Sequence, residues 1–193
     1  MCADRHRTRH RGEILVPRRR TLAPTTLTLT PTESVTIRRS TPELLEVEAT
    51  YGQASKPPPK HLHPSQDEHF EVLEGSVRVR VAEDERTLQT GEQIDIPRGT
   101  VHQMWNSGTA DARVLWQTRP GGRTEQWFAA IDALHREGKV GRNGMPGPLA
   151  FAALLTEYGD VFRLAAGPEP LVRGALAALA PLGRMRGYLQ ARG

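Results

Sequence analysis

Between about residue 25 and residue 118 apolar side chains recur at every second position. Leu27 and Leu29 alternate with threonines, and Val35 and Ile37 continue the pattern. Leu45, Val47, Ala49 and Tyr51 alternate with Glu46, Glu48 and Thr50, while Val77, Val79 and Val81 stand opposite Arg78 and Arg80. This is the period of half-buried strands. The runs are short and separated by turn chemistry, as in Ala82–Glu85 and Pro97–Gly99. They predict a mainly β unit over 21–120, a sandwich or barrel and not a parallel sheet. After 119–122 (RPGG) the period changes. Trp127, Ile131 and Leu134 fall at helical spacing, with Thr124 as an N-cap and Gly138 as a stop. Further helical segments follow over about 149–167 and from Pro170 to Gln190, the last interrupted at Pro181. Residues 121–193 therefore read as a helical extension. Its broad apolar faces must cover the β unit, a second subunit, or both.

Composition changes this picture in two places. No apolar run approaches the ~18 residues of a membrane-spanning helix, so no membrane partner is expected. The net charge is +4, but residues 1–20 hold seven arginines against Asp4 and Glu13, leaving −1 for the rest. The basicity belongs to this segment, read as a disordered tail, and not to a nucleic-acid-binding surface. No helix-turn-helix pattern precedes the strands, so no nucleic acid is expected as a partner. The lone cysteine, Cys2, excludes an intramolecular disulfide and favours a cytoplasmic location.

The stretch 60–75, KHLHPSQDEHFEVLEG, carries the chemistry. Side chains at i and i+2 of a strand share a face, so His61 and His63 point together while Leu62 points away. Residues 64–67 (PSQD) have turn chemistry that can reverse the chain and bring Glu68 beside them. His102, just after the tight turn at Pro97 and Gly99, is placed to be a fourth inward ligand. Alternation points His69 to the opposite side from Glu68, His135 reads as an ordinary helical residue, and Asn106 as a turn tie. By the same alternation Phe70 and Val72 share the face of Glu68, and Met104 that of His102. Trp116 or Val114 completes a possible pocket lining. These are apolar walls, suited to an aromatic or aliphatic molecule better than to a sugar phosphate.

These residues resemble the two cupin motifs. The first, His-x-His, four residues, Glu, six residues and Gly, is matched by His61, His63, Glu68 and Gly75. The second, Gly, five residues, Pro-x-Gly, two residues, His, three residues and Asn, is matched by Gly91, Pro97, Gly99, His102 and Asn106. Only the glycine that some versions carry before the first histidine is absent, replaced by the proline run 57–59. The resemblance covers about 43–118. It implies a double-stranded β-helix, jelly-roll-like barrel holding one mononuclear metal on His61, His63, Glu68 and His102.

Three imidazoles and a carboxylate suit a divalent transition ion, whether Fe, Mn, Ni, Co, Cu or Zn, and affinity order does not choose among them. A six-coordinate centre would keep two open positions for water, substrate or dioxygen, and the resemblance to cupins, which include dioxygenases with this ligand set, implies a metal-dependent, dioxygenase-like oxidoreductase acting on a small organic molecule. The alternative is a metal-dependent binding or sensing module without catalysis. No separate catalytic acid or base stands out in the sequence. Because cupins commonly pair through their sheets, a homodimer is expected. The 1–20 segment lacks apolar periodicity, so a chain beginning at Thr21 is expected to melt at the same temperature as the full chain in thermal denaturation. A large drop would show that the tail is structural.

Overall fold

The computed structural model describes residues 25–141 and 144–188; the basic segment 1–20 lies outside the described residues. Strands β1 (Thr26–Thr30), β2 (Glu33–Ser40) and β3 (Leu45–Tyr51) pair antiparallel in sequence. Then come β4 (His61–Leu62), β5 (Asp67–Glu74), β6 (Ser76–Val81), β7 (Asp84–Gln89), β8 (Gln93–Ile96), β9 (His102–Trp105) and β10 (Ala112–Arg119). Three helices, α1 (Thr124–Arg136), α2 (Pro148–Glu157) and α3 (Glu169–Met185), follow, with a two-residue strand β11 (Arg163–Leu164) before the last. None of these helices is long and apolar enough to cross a membrane.

The strands form two antiparallel sheets, one in the order β1-β2-β3-β10-β5-β8 and the other β11-β4-β9-β6-β7. The predicted alternation is realised: β3 buries Leu45, Val47, Ala49 and Tyr51, and β10 buries Ala112, Val114, Trp116 and Thr118. Together with Phe70, Val72, Val77 and Val79 they fill the space between the sheets. The fold is mainly β with a helical C-terminal extension, as the sequence pattern implies.

Two turns differ from their expected roles. Residues 64–67 do not make a hairpin, because β4 pairs with β9 and β11 whereas β5 pairs with β10 and β8. The chain steps from one sheet to the other, and Pro97–Gly99 steps back between β8 and β9 in the same way. Gln66 fastens the first crossover: its Nε2 donates to Pro120 O, Gly121 O and Thr124 Oγ1 at 2.9, 3.0 and 2.6 Å. Thr124 is therefore not the N-cap of α1. That position falls to Arg123, which makes no side-chain cap, and the buried Thr124 hydroxyl receives Gln66 instead.

The extension covers the sandwich. On α1, Trp127, Phe128 and Leu134 are buried, and Asp132 Oδ1 accepts the Thr28 N–H of β1 at 3.0 Å. An edge-strand amide is thereby satisfied by the helix that covers it. His135 also ties to this strand, its Nε2 lying 3.0 Å from Leu29 O. The expected helix over 149–167 stops at Glu157. Arg123 crosses over the next residues, its guanidinium bonded to Asp160 Oδ2 at 3.1 Å and lying 4.9 Å from the Tyr158 ring centroid. Beyond that clamp the chain extends into β11 and pairs with β4.

Helix α3 runs through Pro181. Pro181 gives up its ladder bond and crowds the carbonyl one turn back, and packing of the last turn against α2 holds the helix through it. A Cβ on Gly183 would lie 2.3 Å from Leu149 O and 3.1 Å from Ala153 Cβ. The apolar face of α3 is only partly covered, with Leu171 71%, Leu182 50% and Met185 84% exposed. Alanine is normally favoured over glycine inside a helix by ~1 kcal/mol. Here the backbone contact outweighs that preference, and Gly183→Ala is expected to lower stability by about 1–3 kcal/mol in urea denaturation. A neutral or stabilising result would show that α3 is not docked on α2.

Candidate metal centre

The local fold gives each histidine the same tautomer. His61 Nδ1 lies 2.8 Å from Pro59 O, His63 Nδ1 2.6 Å from Val161 O, and His102 Nδ1 3.0 Å from Thr100 O. A carbonyl oxygen can only accept, so each Nδ1 carries the proton and donates it. The Nε2 lone pairs are left free. The proline run 57–59 supplies the acceptor for His61, and its neighbour Pro58 O takes the amide of buried Gln103 at 2.5 Å. The i+2 spacing delivers the first two rings, and β4 pairs His61 directly with His102 of β9. The ligand atoms of the three histidines lie within 4.8 Å of one another.

Glu68 completes the cluster from the opposite sheet. Its Oε1 is 3.3 Å from His63 Nε2 and its Oε2 is 3.0 Å from His102 Nε2. With both Nδ1 atoms protonated, these are approaches of acceptor to acceptor unless a cation sits between them. His63 Nε2 and Glu68 Oε2 are indeed buried with no hydrogen-bond partner among the described residues. The 3.0 Å approach satisfies Glu68 Oε2 only when the His102 ring gains its second proton, on Nε2, or a metal ion takes that proton's place. The residues thus fit a divalent cation on their own chemistry.

The electrostatics agree. Burial, then the neighbouring His102 and His63, push His61 down to about 3, so it stays neutral. Burial likewise pushes His63 down. Burial acts to raise Glu68, but the histidines around it outweigh that effect and hold its carboxyl below the usual range. Burial acts to lower His102, but the hydrogen bond and charge of Glu68 raise it overall. The Glu68 carboxylate thus favours positive charge at His102 Nε2, the place that a bound cation would take.

The four residues read as ligands in the sequence are brought together. His69 is not among them: its Nδ1 pairs with Asp95 Oδ1 at 2.7 Å on the outer face. Asn106 ties a turn, donating to Tyr51 O and Ala110 O and accepting from the Gly108 amide. Phe70, Met104 and Trp116 line a cavity of about 120 Å³ beside the cluster. Val72 belongs to the core and not to this lining. Trp116 has a second role, since its Nε1 donates to Glu68 Oε1 at 3.0 Å.

What the strand pattern did not expose is the contribution of the extension. Phe162 stacks on His61 (centroids 4.5 Å apart, planes 14° apart) and on Trp127 (5.1 Å, 20°). Val161 orients His63 through its carbonyl, 98 residues away in sequence. Glu33 and Tyr51, from β2 and β3, also line the cavity. No period reports such contacts; the only sequence signal was the aromatic content of 127–128 and 158–162.

Two antiparallel sheets enclosing a cluster of imidazoles and a carboxylate define a class of small β-sandwich protein. Residues 47–118 match the family model described as Cupin domain, and that segment, with its two antiparallel sheets, is similar to the cupin superfamily. It is 38% identical over 61 residues to the tetracenomycin polyketide synthase protein TcmJ of Streptomyces glaucescens, covering 32% of this chain and 41% of that protein. It is 40% identical over 62 residues to germin-like protein subfamily T member 2 of Arabidopsis thaliana, covering 30% and 28%. The chain thus spans less than half the length of these curated relatives. Among solved structures, KdgF from Halomonas sp. is similar at 22% identity with a TM-score of 0.46, over 50% of this chain and 87% of that one.

Cupins commonly bind a metal, and a donor that orients a ligating carboxylate typically matters about 10–100-fold in affinity. Trp116→Phe keeps the ring but removes the bond to Glu68. It is expected to weaken metal binding by that factor in competition with a chelating dye. Unchanged affinity would show that the Trp116 bond does not orient Glu68 for the ion.

Proposed function

We propose that this protein is a mononuclear metal-dependent enzyme, of dioxygenase type, acting on a small, largely apolar organic molecule. The observation that carries the reading is the convergence of three imidazoles, each with its Nδ1 turned to a backbone carbonyl, and the buried Glu68 carboxylate on an aromatic-lined cavity, with His63 Nε2 and Glu68 Oε2 lacking a hydrogen-bond donor. His61, His63, His102 and Glu68 would hold one divalent transition ion. When bound, that ion supplies Lewis acidity and, for a redox-active metal, electron exchange with dioxygen.

The chain itself does the rest. The carbonyls of Pro59, Thr100 and Val161 fix ring orientation and tautomer before any ion arrives. Trp116 holds the Glu68 carboxylate. Phe162, Trp127, Phe128 and Phe70 wall the cavity with apolar surface, which limits water beside the cluster and favours a flat, apolar molecule. A volume of about 120 Å³ is on the scale of the engineered apolar cavity of ~150 Å³ that binds benzene. The substrate, or the part of it that enters, is accordingly of single-ring size. The exposed row on α3 supports pairing with a second copy of the chain.

The test is anaerobic reconstitution with each candidate metal, followed by oxygen uptake against a panel of small aromatic and aliphatic compounds. Uptake that needs both metal and compound is expected, and His63→Ala and His102→Ala should each lose stoichiometric metal by elemental analysis. Full metal occupancy in both variants would overturn the ligand assignment. Tight metal binding with no uptake across the panel would favour a sensing module.

A further inference from the structure

The metal cluster occupies only one polar part of the cavity. A second carboxylate, Glu33, lines the same space from the first residue of β2. It stands directly across the strands from Tyr51 of β3, a buried side chain that lies close enough to favour the charged form of the Glu33 carboxylate. The surrounding lining is apolar, with Leu29, Ile131 and Pro146 among its members. Among the described residues, no lysine or arginine within salt-bridge reach neutralises Glu33. A carboxylate lining a largely apolar cavity, with Thr30 and Tyr51 as its cross-strand neighbours and no cation beside it, retains acceptor capacity that a ligand can satisfy.

We propose that Glu33, oriented by Tyr51, is the recognition site for a hydroxyl group on the substrate, accepting its O–H hydrogen bond while the ring packs among the cavity aromatics. This rests on the cavity being the substrate site. It narrows the substrate class to phenol-like molecules: one ring with a protic hydroxyl. Glu33 is here a specificity-determining residue, and Tyr51 positions it.

The protonation states fit this role. Burial pushes Glu33 up to about 7, against the opposing effect of the Tyr51 hydrogen bond. Burial, then the charges of Glu33 and Glu68, push Tyr51 well above its ordinary value, so its hydroxyl stays a donor. Glu33 is therefore an ionised, strong acceptor above about pH 7 and a weaker, protonated one below it. The other ionisable groups facing the cavity are Tyr51, His61, His63, Glu68 and His102. All of them remain in a Glu33→Gln variant, which separates their titration from that of Glu33.

The experiment compares phenol with toluene, which has the same shape but no donor, as ligands of the metal-free full chain. Binding is followed by calorimetry and by the fluorescence of the cavity tryptophans. It is carried out between about pH 5.5 and 8.5, where a phenol stays un-ionised. At the alkaline end the phenol-to-toluene affinity ratio is expected to fall about tenfold on Glu33→Gln, the loss of a charge-assisted hydrogen bond. In the unaltered protein this ratio should decline as pH drops through about 7, and in Glu33→Gln it should be flat. Tyr51→Phe should move the midpoint upward, because the lost donor had favoured the charged form; a merely structural role for Tyr51 would leave the midpoint in place.

An unchanged ratio in Glu33→Gln, or a pH response that survives there, overturns the assignment. If both probes bind equally well while metal loading and oxygen uptake persist, Glu33 recognition falls and the metal-enzyme reading stands. If neither probe binds at any pH, the cavity does not take a phenol-like molecule and the Glu33 assignment falls, while metal loading and oxygen uptake decide the metal-enzyme reading separately. Should Glu33→Gln fail to fold, the absence of a midpoint shift in Tyr51→Phe overturns the proposal by itself.

Discussion

Everything at the centre of this molecule follows from where three imidazole protons go. Each Nδ1–H is donated to a backbone carbonyl, of Pro59, Val161 or Thr100. The rings can then present only lone pairs to one another and to Glu68. Acceptors packed at about hydrogen-bond distance in a buried space repel unless a cation joins them. The carbonyls that impose this come from three separate segments: the proline run, the residue after the Pro97–Gly99 crossover, and the link between α2 and β11 in the helical extension. The whole fold is needed to create the demand for an ion.

Much of this was legible in the chain, for a physical reason. Strand alternation has a period of two, and it correctly aimed His61 and His63 together, put Glu68 inward and put His69 outward. Turn chemistry marked the two crossovers, although it could not say that the chain changes sheet there, since Pro and Gly bend a hairpin and a crossover alike. The helices were visible from their period. Their bounds were less so: Pro181 does not stop α3, and the expected helix over 149–167 is broken by a clamp from Arg123 that no local pattern contains.

The contacts that were not legible are long-range and made by residues with ordinary local reasons to exist. Phe162 reads as one more apolar position, yet it stacks on a histidine of the cluster. Glu33 reads as a polar residue opening a strand, yet its pairing with Tyr51 turns it toward the cavity. Each depends on strand order: β2 is adjacent to β3, and β11 docks on β4. Period reports burial of a face, whereas strand order decides which faces meet.

This dependence also explains why the helical extension is more than a cover. Arg123, at the start of α1, bonds to Asp160 and Glu157 and lies over Tyr158. These residues immediately precede Val161 and Phe162, so the clamp sets the height at which one carbonyl meets His63 and one ring meets His61. Trp127, a turn into the same helix, backs Phe162 from the other side. The stack His61–Phe162–Trp127 thus ties a candidate ligand directly to α1 through two aromatic interfaces. Offset or stacked rings of this kind contribute about 0.5–1.5 kcal/mol each beyond the area they bury, enough to hold an imidazole in one orientation but not enough to lock a loop alone. The charged clamp at the surface and the ring stack beneath it act on the same short segment. Together they make the geometry of the cluster a property of both the sandwich and its extension.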